Sequence, residues 1–289
     1  MSILLFLNIK GGVAKTTTAV AVAEALAHLG HRVLLIDADH QCASSELLLG
    51  ERRFLGADQQ RRTLHDLLAA MLKEDFSPEQ FDHFVSPEAG NIASLQSRLW
   101  VMPCSFRIND FQTNMAKARR GFRTTDEFRS VWTGRIGAFR AWLRKTFSYT
   151  IVDCPPSLAL QVRFMLSASD AYVVPCIPDR ISVRGARWLG ERLEREGFAA
   201  SPLGLAWTLY REGNECHRTM IGLVGKSAQH AGALRRLPRP FATVIPNATR
   251  LSVLRRASSS SGPFPPNTRH RLRRCSSPWR VRFWRGAAP

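Results

Sequence analysis

Acidic residues are missing from the last quarter of this 289-residue sequence. Glu215 is the last of the 23 acidic residues, whereas residues 216–289 contain fifteen lysines and arginines. Residues 1–215 hold the other 26 basic residues, so their net charge is only +3 although the whole chain carries +18. A block of one charge sign favours a polyanionic partner, either nucleic acid or anionic lipid, or else a solvated tail.

The sequence also lacks a long apolar run and any closely spaced pair of cysteines. No apolar stretch reaches the roughly 18 to 20 residues that span a bilayer, so we expect no membrane insertion. The apolar segment 3–9 has no basic region before it and leads into a glycine-rich loop, which indicates a buried strand and not a signal peptide. The six cysteines include no C-x-x-C pair, which argues against a zinc site or a disulfide framework and favours a reducing cytoplasm.

Apolar runs alternate with amphipathic stretches along the first 245 residues. The run at 3–9 is followed by a glycine-containing turn, a helical pattern at 16–29 and a second run at 32–36, which together form a βαβ unit. Further strands are predicted at 99–103, 149–152, 171–175, 203–209 and 241–245, and further helices at 64–72, 128–145 and 183–196. The pattern predicts an α/β fold: a mostly parallel, twisted sheet with helices on both faces.

Helical spacing also predicts which side chains face the core. Leu29 belongs to the predicted buried face of the first helix, and Val131 to that of the helix at 128–145. The helix at 183–196 is expected to expose its arginines, Arg184, Arg187, Arg192 and Arg195.

The composition changes near Ala257. Residues 257–289 are rich in proline, serine and arginine and contain no acidic residue, a composition that does not build a core. We therefore expect one domain over residues 1–256. For residues 257–289 we expect a disordered extension or an out-of-frame reading of a GC-rich gene. An intact native product ending near Pro289 in mass spectrometry would exclude the frameshift.

One short motif lies between the first predicted strand and the first helix: Lys10-Gly11-Gly12-Val13-Ala14-Lys15-Thr16-Thr17. A tight glycine loop lets successive backbone N–H groups converge on phosphate oxygens, and the following helix adds the positive end of its dipole. Lys15 is placed to neutralise the β- and γ-phosphates of ATP, and the Thr16 hydroxyl to ligate Mg²⁺. Ile9 and Ala14 replace the first and last glycines of the usual pattern, and we expect the loop to accommodate Ala14 without a positive φ.

The form K-G-G-x-x-K-[S/T]-T resembles the deviant Walker A loop of the ParA/MinD family of P-loop ATPases, most closely the partition proteins of the ParA or Soj type. Two further stretches resemble that family in the matching order. Residues 33–41, VLLIDADHQ, end in its D-x-D-x-Q pattern, and residues 149–157, YTIVDCPPS, are similar to its Walker B strand. His40 stands where the family usually has proline. The likeness covers roughly residues 1–250 and is loose over 50–130.

The resemblance implies a role for each matching residue. Lys10 would reach the partner's nucleotide across an ATP-sandwich dimer, and Asp39 would position the attacking water, so Lys10, Lys15 and Asp39 form the expected catalytic set. Asp37 and Asp153, together with Thr16, are the expected metal-site residues; the alternative for Asp37 is a cap on a helix or turn. Phosphate binding falls to the whole loop: Lys10, Gly11, Gly12, Val13, Ala14, Lys15, Thr16 and Thr17.

The same resemblance implies a partition ATPase. ATP would drive formation of a homodimer that binds DNA without sequence preference, in the cytoplasm on the nucleoid. A ParB-type partner would stimulate hydrolysis and release. Phosphate contacts need no base readout and depend steeply on salt. The candidate DNA contacts are Arg184, Arg187, Arg218, Arg250 and Arg255.

Three alternatives stay open from sequence. A MinD-like positioning ATPase would need a C-terminal amphipathic helix for membrane binding, and the proline-rich tail shows no such periodicity. A relative with small-molecule chemistry could be an ATP-dependent amidase or an iron-protein reductase, and the latter would need cysteines such as Cys104 and Cys154 to hold a cluster between subunits. The third is a non-enzymatic, nucleotide-gated DNA-binding module, which steady phosphate release abolished by Asp39→Ala would exclude.

Overall fold

A computed structural model describes residues 1–90, 92, 95–227 and 237–247. Within these residues, seven strands form one sheet in the order β3-β2-β4-β1-β5-β6-β7, with every neighbouring pair parallel. The strands are β1 (Ser2–Phe6), β2 (Val33–Asp37), β3 (Leu99–Met102), β4 (Tyr149–Asp153), β5 (Ala171–Cys176), β6 (Ser201–Tyr210) and β7 (Pro240–Pro246). The predicted α/β fold with a parallel sheet is confirmed.

Helices connect the strands. They are α1 (Lys15–His28), α2 (Ala43–Leu49), α3 (Glu51–Gln59), α4 (Leu64–Ala70), α5 (Phe111–Arg119), α6 (Thr125–Thr146), α7 (Leu160–Ala168), α8 (Arg180–Glu196) and α9 (Glu215–Ser227), with 3₁₀ helices at Pro78–Phe84 and Phe106–Asp110. All five residues of β2 are buried. A strand buried at every position has both faces covered, which explains why the strands read as continuous apolar runs.

Local chemistry explains the boundaries of helices α6 and α8. The Thr124 side chain accepts the N–H of Glu127 at 3.1 Å and begins α6. Asp179 accepts the N–H of Ser182 at 2.7 Å and begins α8, which ends at Gly197 with a φ of 71°. These are the side-chain caps and glycine stops that helices use. In helix α1, as in α2, α3, α5 and α7, no side chain caps the first turn.

Two predicted inward-facing residues are exposed. Leu29 is 48% exposed and lies just beyond the last residue of α1. Val131 is 37% exposed, and the fully buried residues of α6 are Phe139 and Leu143 in its second half. Periodicity continues along a helix past the point where the core ends, so it overestimates burial near helix ends.

Met1–Asn247 form one compact unit. The predicted domain boundary at residue 257 and the predicted character of 257–289 lie outside the described residues and stay predictions. No helix among the described residues is both long enough and apolar enough to cross a bilayer.

Candidate functional site

The strand register brings the predicted acidic residues to one edge of the sheet. Asp153, the last residue of β4, is paired with Phe6 at the end of β1 and with Asp37 at the end of β2. In parallel sheets the carboxyl ends of neighbouring strands form the crevice where ligands bind. The glycine loop at 10–17 leaves β1 at this same edge and therefore faces both aspartates.

The loop has a tightly turned backbone. Gly12 has a φ of 71°, and Ala14 has a φ of 60°, also in the left-handed region. The expectation that Ala14 avoids a positive φ is therefore wrong. A non-glycine residue in this region costs roughly 1 kcal/mol. The Ala14 carbonyl accepts both the backbone N–H of Thr18 at 3.0 Å and its hydroxyl at 2.7 Å, contacts that hold the strained residue in place.

Two buried polar residues that the sequence analysis did not single out anchor this loop. The Asn8 side-chain amide donates to the carbonyl of Pro175 at 2.7 Å, and its oxygen accepts the N–H of Lys10 at 3.0 Å. The hydroxyl of Thr208 donates to the carbonyl of Val13 at 3.0 Å. The loop is thus tied to β5 and β6, strands that are distant in sequence.

Lys15 begins α1 and is almost fully buried. Its ammonium donates to the carbonyl of Lys10 at 3.0 Å. Burial lowers the pKa of Lys15, while the nearby carboxylates of Asp153 and Asp39 oppose this shift. Because α1 has no side-chain cap, no side chain accepts hydrogen bonds from its first N–H groups. These groups and the Lys15 ammonium together form a site suited to binding an anion.

Asp37 is fully buried and well supplied with donors. Its Oδ2 accepts the backbone N–H of Ser45 at 2.9 Å and the Ser45 hydroxyl at 2.7 Å, and its Oδ1 accepts the N–H of Asp39 at 3.1 Å. Burial raises the pKa of Asp37 to about 6, against the effect of these hydrogen bonds. Asp37 therefore ties the end of β2 to the first turn of α2, which is the capping geometry considered as its alternative role.

Asp153 is equally buried but has no such support. Neither carboxylate oxygen has a hydrogen-bond partner among the described residues. Burial, followed by the neighbouring charge of Asp37, raises the pKa of Asp153 to about 8. The hydroxyls of Thr16 and Ser44 oppose that rise, although neither reaches hydrogen-bonding geometry with the carboxylate. The oxygens of Asp153 are therefore available to a ligand.

Asp39 lies on the loop after β2. Its Oδ1 accepts the backbone N–H of Gln41 at 3.0 Å. The Nδ1 atom of His40 lies 3.3 Å from the same oxygen. The structure thus brings Lys15, Thr16, Asp37, Asp39 and Asp153 together, as the sequence analysis predicted.

The side chain of Lys10 takes a different direction. Its ammonium forms an ion pair with Asp179 at 3.0 Å and donates to the Ser182 hydroxyl at 2.8 Å, both at the start of α8. The pKa of Asp179 lies below its usual value. Burial acts to raise this pKa, but the N–H of Ser182 and the Lys10 ammonium lower it by more. The sequence analysis assigned no role to Asp179 or Ser182.

The predicted DNA contacts are dispersed. Arg184 and Arg187 are exposed on α8, where Arg187 pairs with Glu191 at 3.0 Å. Arg218 on α9 lies 3.7 Å from Glu215. Arg250 and Arg255 lie outside the described residues.

The two cysteines of the iron-protein alternative are in the interior. Cys104 and Cys154 are both fully buried, and burial raises the pKa of each thiol well above its usual value. A cluster shared between subunits needs thiolates at a surface, so the placement of these cysteines argues against that alternative.

Fold and loop together define a P-loop protein. Residues 1–196 match the AAA domain family AAA_31. Over 221 residues, the chain is 31% identical to the chromosome partitioning protein ParA of Caulobacter vibrioides, covering 74% of this chain and 72% of that protein. The chain belongs to the ParA/MinD family of P-loop ATPases and is similar to its ParA and Soj members, which confirms the resemblance seen in the sequence.

Solved structures show the same fold at lower identity. Apo McdA of Cyanothece is 21% identical with a TM-score of 0.64, and the match covers 89% of this chain and 90% of that one. Cobyrinic acid a,c-diamide synthase of Mycobacterium smegmatis, solved with ADP and magnesium, is 21% identical with a TM-score of 0.62, covering 89% and 92%. Likeness at this identity establishes the fold alone.

Proposed function

We propose that this chain is a Mg²⁺-dependent ATPase of the ParA type that acts in DNA partition. One observation carries the proposal: an uncapped helix N-terminus and a buried lysine face a buried aspartate whose oxygens have no partner among the described residues. An anion with an attached cation complements this arrangement, and a nucleotide with Mg²⁺ has that chemistry. The family membership supports the choice of nucleotide and reaction.

The charges of the site fit the proposed ligands. Asp37, Asp39 and Asp153 supply three carboxylates against the one ammonium of Lys15, an excess of two negative charges when all are ionised. Oxygen ligands from carboxylates and hydroxyls suit Mg²⁺. In this proposal Thr16 and Asp153, which lie close together, would hold the cation, and Asp37 would orient the segment that carries Asp39.

Each side chain then has a task that its position supports. The amides of residues 11–17 bind the phosphates, and the Lys15 ammonium neutralises part of their charge. A buried ammonium attracts a phosphate more strongly than an exposed one, because the local dielectric constant is lower. Bound Mg²⁺ would supply further neutralisation of the phosphate oxygens. Asp39 orients the attacking water by accepting a hydrogen bond from it.

The remaining parts of the cycle rest on the likeness to ParA. In this proposal ATP drives homodimerisation, the dimer binds DNA without sequence preference on the nucleoid in the cytoplasm, and a ParB-type protein stimulates hydrolysis. Lys10 would serve the partner's nucleotide. Since its ammonium bonds Asp179 and Ser182 within its own chain, it must leave them to do so.

The test of the nucleotide site uses two lysine variants of the loop. Lys15→Gln is expected to lose ATP binding, because the buried positive charge that faces the phosphates disappears. Lys10→Ala is expected to bind ATP but to fail in dimerisation and hydrolysis. The measurements are fluorescent-nucleotide binding, light scattering and phosphate release. Hydrolysis at the parental rate by Lys10→Ala would contradict the sandwich-dimer assignment.

The DNA-binding part is tested by retention of non-specific duplex DNA with ATP or ADP at moderate salt. The full chain is compared with a shorter chain that ends at Arg256. Retention with ATP alone by both proteins is the expected result and would assign the DNA surface to residues 1–256. Equal retention with both nucleotides, lost on shortening, would instead make the basic C-terminal block the DNA binder.

A further inference from the structure

His40 contacts the two residues on either side of it in the chain. Its Nδ1 lies 3.3 Å from Asp39 Oδ1, and its Nε2 lies 2.7 Å from the side-chain nitrogen of Gln41. The imidazole is 41% exposed, whereas the Asp39 side chain is only 14% exposed. The ring therefore lies against the Asp39 carboxylate with one nitrogen and is hydrogen-bonded to the Gln41 side chain through the other.

The chemistry of these neighbours selects one protonation pattern for the neutral ring. A carboxylate oxygen only accepts, so Nδ1 must carry a proton to face Asp39 favourably. An amide nitrogen only donates, so Nε2 must offer its lone pair to Gln41. The neutral Nδ1–H tautomer suits both neighbours, a close electrostatic approach to Asp39 and a hydrogen bond from the Gln41 amide, whereas the Nε2–H tautomer suits neither.

Both contacts with Asp39 converge on the same oxygen. Oδ1 accepts the N–H of Gln41 and faces the His40 ring, while Oδ2 makes no hydrogen bond to a described residue. Two contacts on one oxygen fix the rotation of the carboxylate. The second oxygen is then left for a water molecule.

We propose that His40 is a positioning residue that holds the Asp39 carboxylate in the orientation needed for hydrolysis. This inference rests on the proposed ATPase function, since it assigns His40 to the same reaction. In this role His40 acts through Asp39. It was set apart in the sequence only as a departure from the family pattern, and the contact with Asp39 gives that departure a role.

The kinetic test compares His40→Ala with His40→Asn in the full chain. Alanine removes the N–H that faces Asp39, whereas the asparagine side-chain nitrogen takes nearly the place of Nδ1 and restores it. A neutral polar contact at a partly exposed side chain contributes little, so His40→Ala is expected to lower kcat by about twofold to fivefold with KM for ATP unchanged. His40→Asn should return most of the parental kcat. His28→Ala, which removes an exposed histidine at the far end of α1, is the matched control.

A spectroscopic readout is independent of turnover. Ring ¹⁵N shifts of His40 near pH 8, assigned by their loss in His40→Ala, should show the Nδ1–H tautomer. The Nε2–H tautomer, a parental kcat in His40→Ala, or an equal loss in His40→Asn would each overturn the role. If the parental chain releases phosphate, Asp39→Ala does not, and His40→Ala does so at the parental rate, this inference alone is wrong. A parental chain that releases no phosphate overturns the proposed function and this role together.

Discussion

The ends of β2 and β4 place two aspartates side by side, but the protein supports them unequally. Asp37 accepts three hydrogen bonds from Ser45 and Asp39, whereas the oxygens of Asp153 accept none from the described residues. Burial raises the pKa of both, to about 6 for Asp37 and about 8 for Asp153. The difference indicates that one carboxylate organises the structure while its neighbour is kept free for a ligand.

Keeping Asp153 unpaired costs stability in the cation-free protein. A buried carboxyl group without donors holds its proton to a higher pH, because ionisation in the interior is unfavourable. A bound cation reverses this preference, so binding of Mg²⁺ with nucleotide at neutral pH is expected to release a proton from Asp153. The strained Ala14 and the buried Lys15 add further costs beside it.

The largest expected effect comes from Asp153→Asn. The amide keeps the shape but loses the charge that would hold the cation, so Mg²⁺-dependent phosphate release should fall at least about a hundredfold. The control is Asp37→Asn, which disturbs the hydrogen bonds to Ser45 and Asp39 and should reduce thermal stability as well as activity. Equal loss of stability in both variants would remove the distinction between the two aspartates.

The pH dependence of stability gives the same variant a second measurement. Below pH 4 both folded and unfolded states hold the Asp153 proton, and no difference arises. Between the ordinary pKa and about 8 only the folded state holds it, so the unfolded state gains by ionising and stability falls as pH rises. Asp153→Asn lacks this loss and should gain about 4 kcal/mol relative to the parental chain between pH 5 and pH 8 in denaturant titrations without Mg²⁺. Parallel pH profiles would show that Asp153 is already ionised in the folded chain.

Ser45→Ala tests the supported side of the comparison. It removes the hydroxyl that donates to Asp37 and also accepts the N–H of Cys104 at 2.9 Å. The loss should cost about 1–3 kcal/mol, which lowers the midpoint of thermal unfolding by roughly 5 °C in a chain of this size. Ser44→Ala is the matched control, because the neighbouring buried hydroxyl lies near both aspartates but forms no hydrogen bond with a described residue. If Ser44→Ala destabilises as much as Ser45→Ala, the supporting role of Ser45 is wrong.

Local signals in the sequence were sufficient for the fold and for the acidic residues of the site. Continuous apolar runs predicted the parallel strands, and two of them, β2 and β4, ended at the aspartates that the register then placed side by side. The glycine loop was predicted from its own residues. These features depend on neighbours in sequence and on the general rule that parallel strands end at one edge.

What the sequence could not predict depends on contacts between distant segments. Asn8 and Thr208 anchor the loop across more than 160 and 190 positions of sequence, and no local pattern distinguishes them from other polar residues. Lys10 meets Asp179 because β5 lies next to β1 in the sheet. The left-handed backbone of Ala14 is a property of the closed loop, and alanine itself has no preference for it.

The smallest expected effect belongs to Ala14→Gly, a change in the same loop that leaves both aspartates as they are. Glycine relieves roughly 1 kcal/mol of strain at the left-handed residue. It also gives the unfolded chain additional freedom worth about 0.5–1 kcal/mol, so the two effects nearly cancel. The midpoint of thermal unfolding should therefore stay within about 2 °C of the parental value, and its dependence on pH should be unchanged. A changed pH dependence would mean that strain in the loop, and not the proton on Asp153, controls stability at this edge of the sheet.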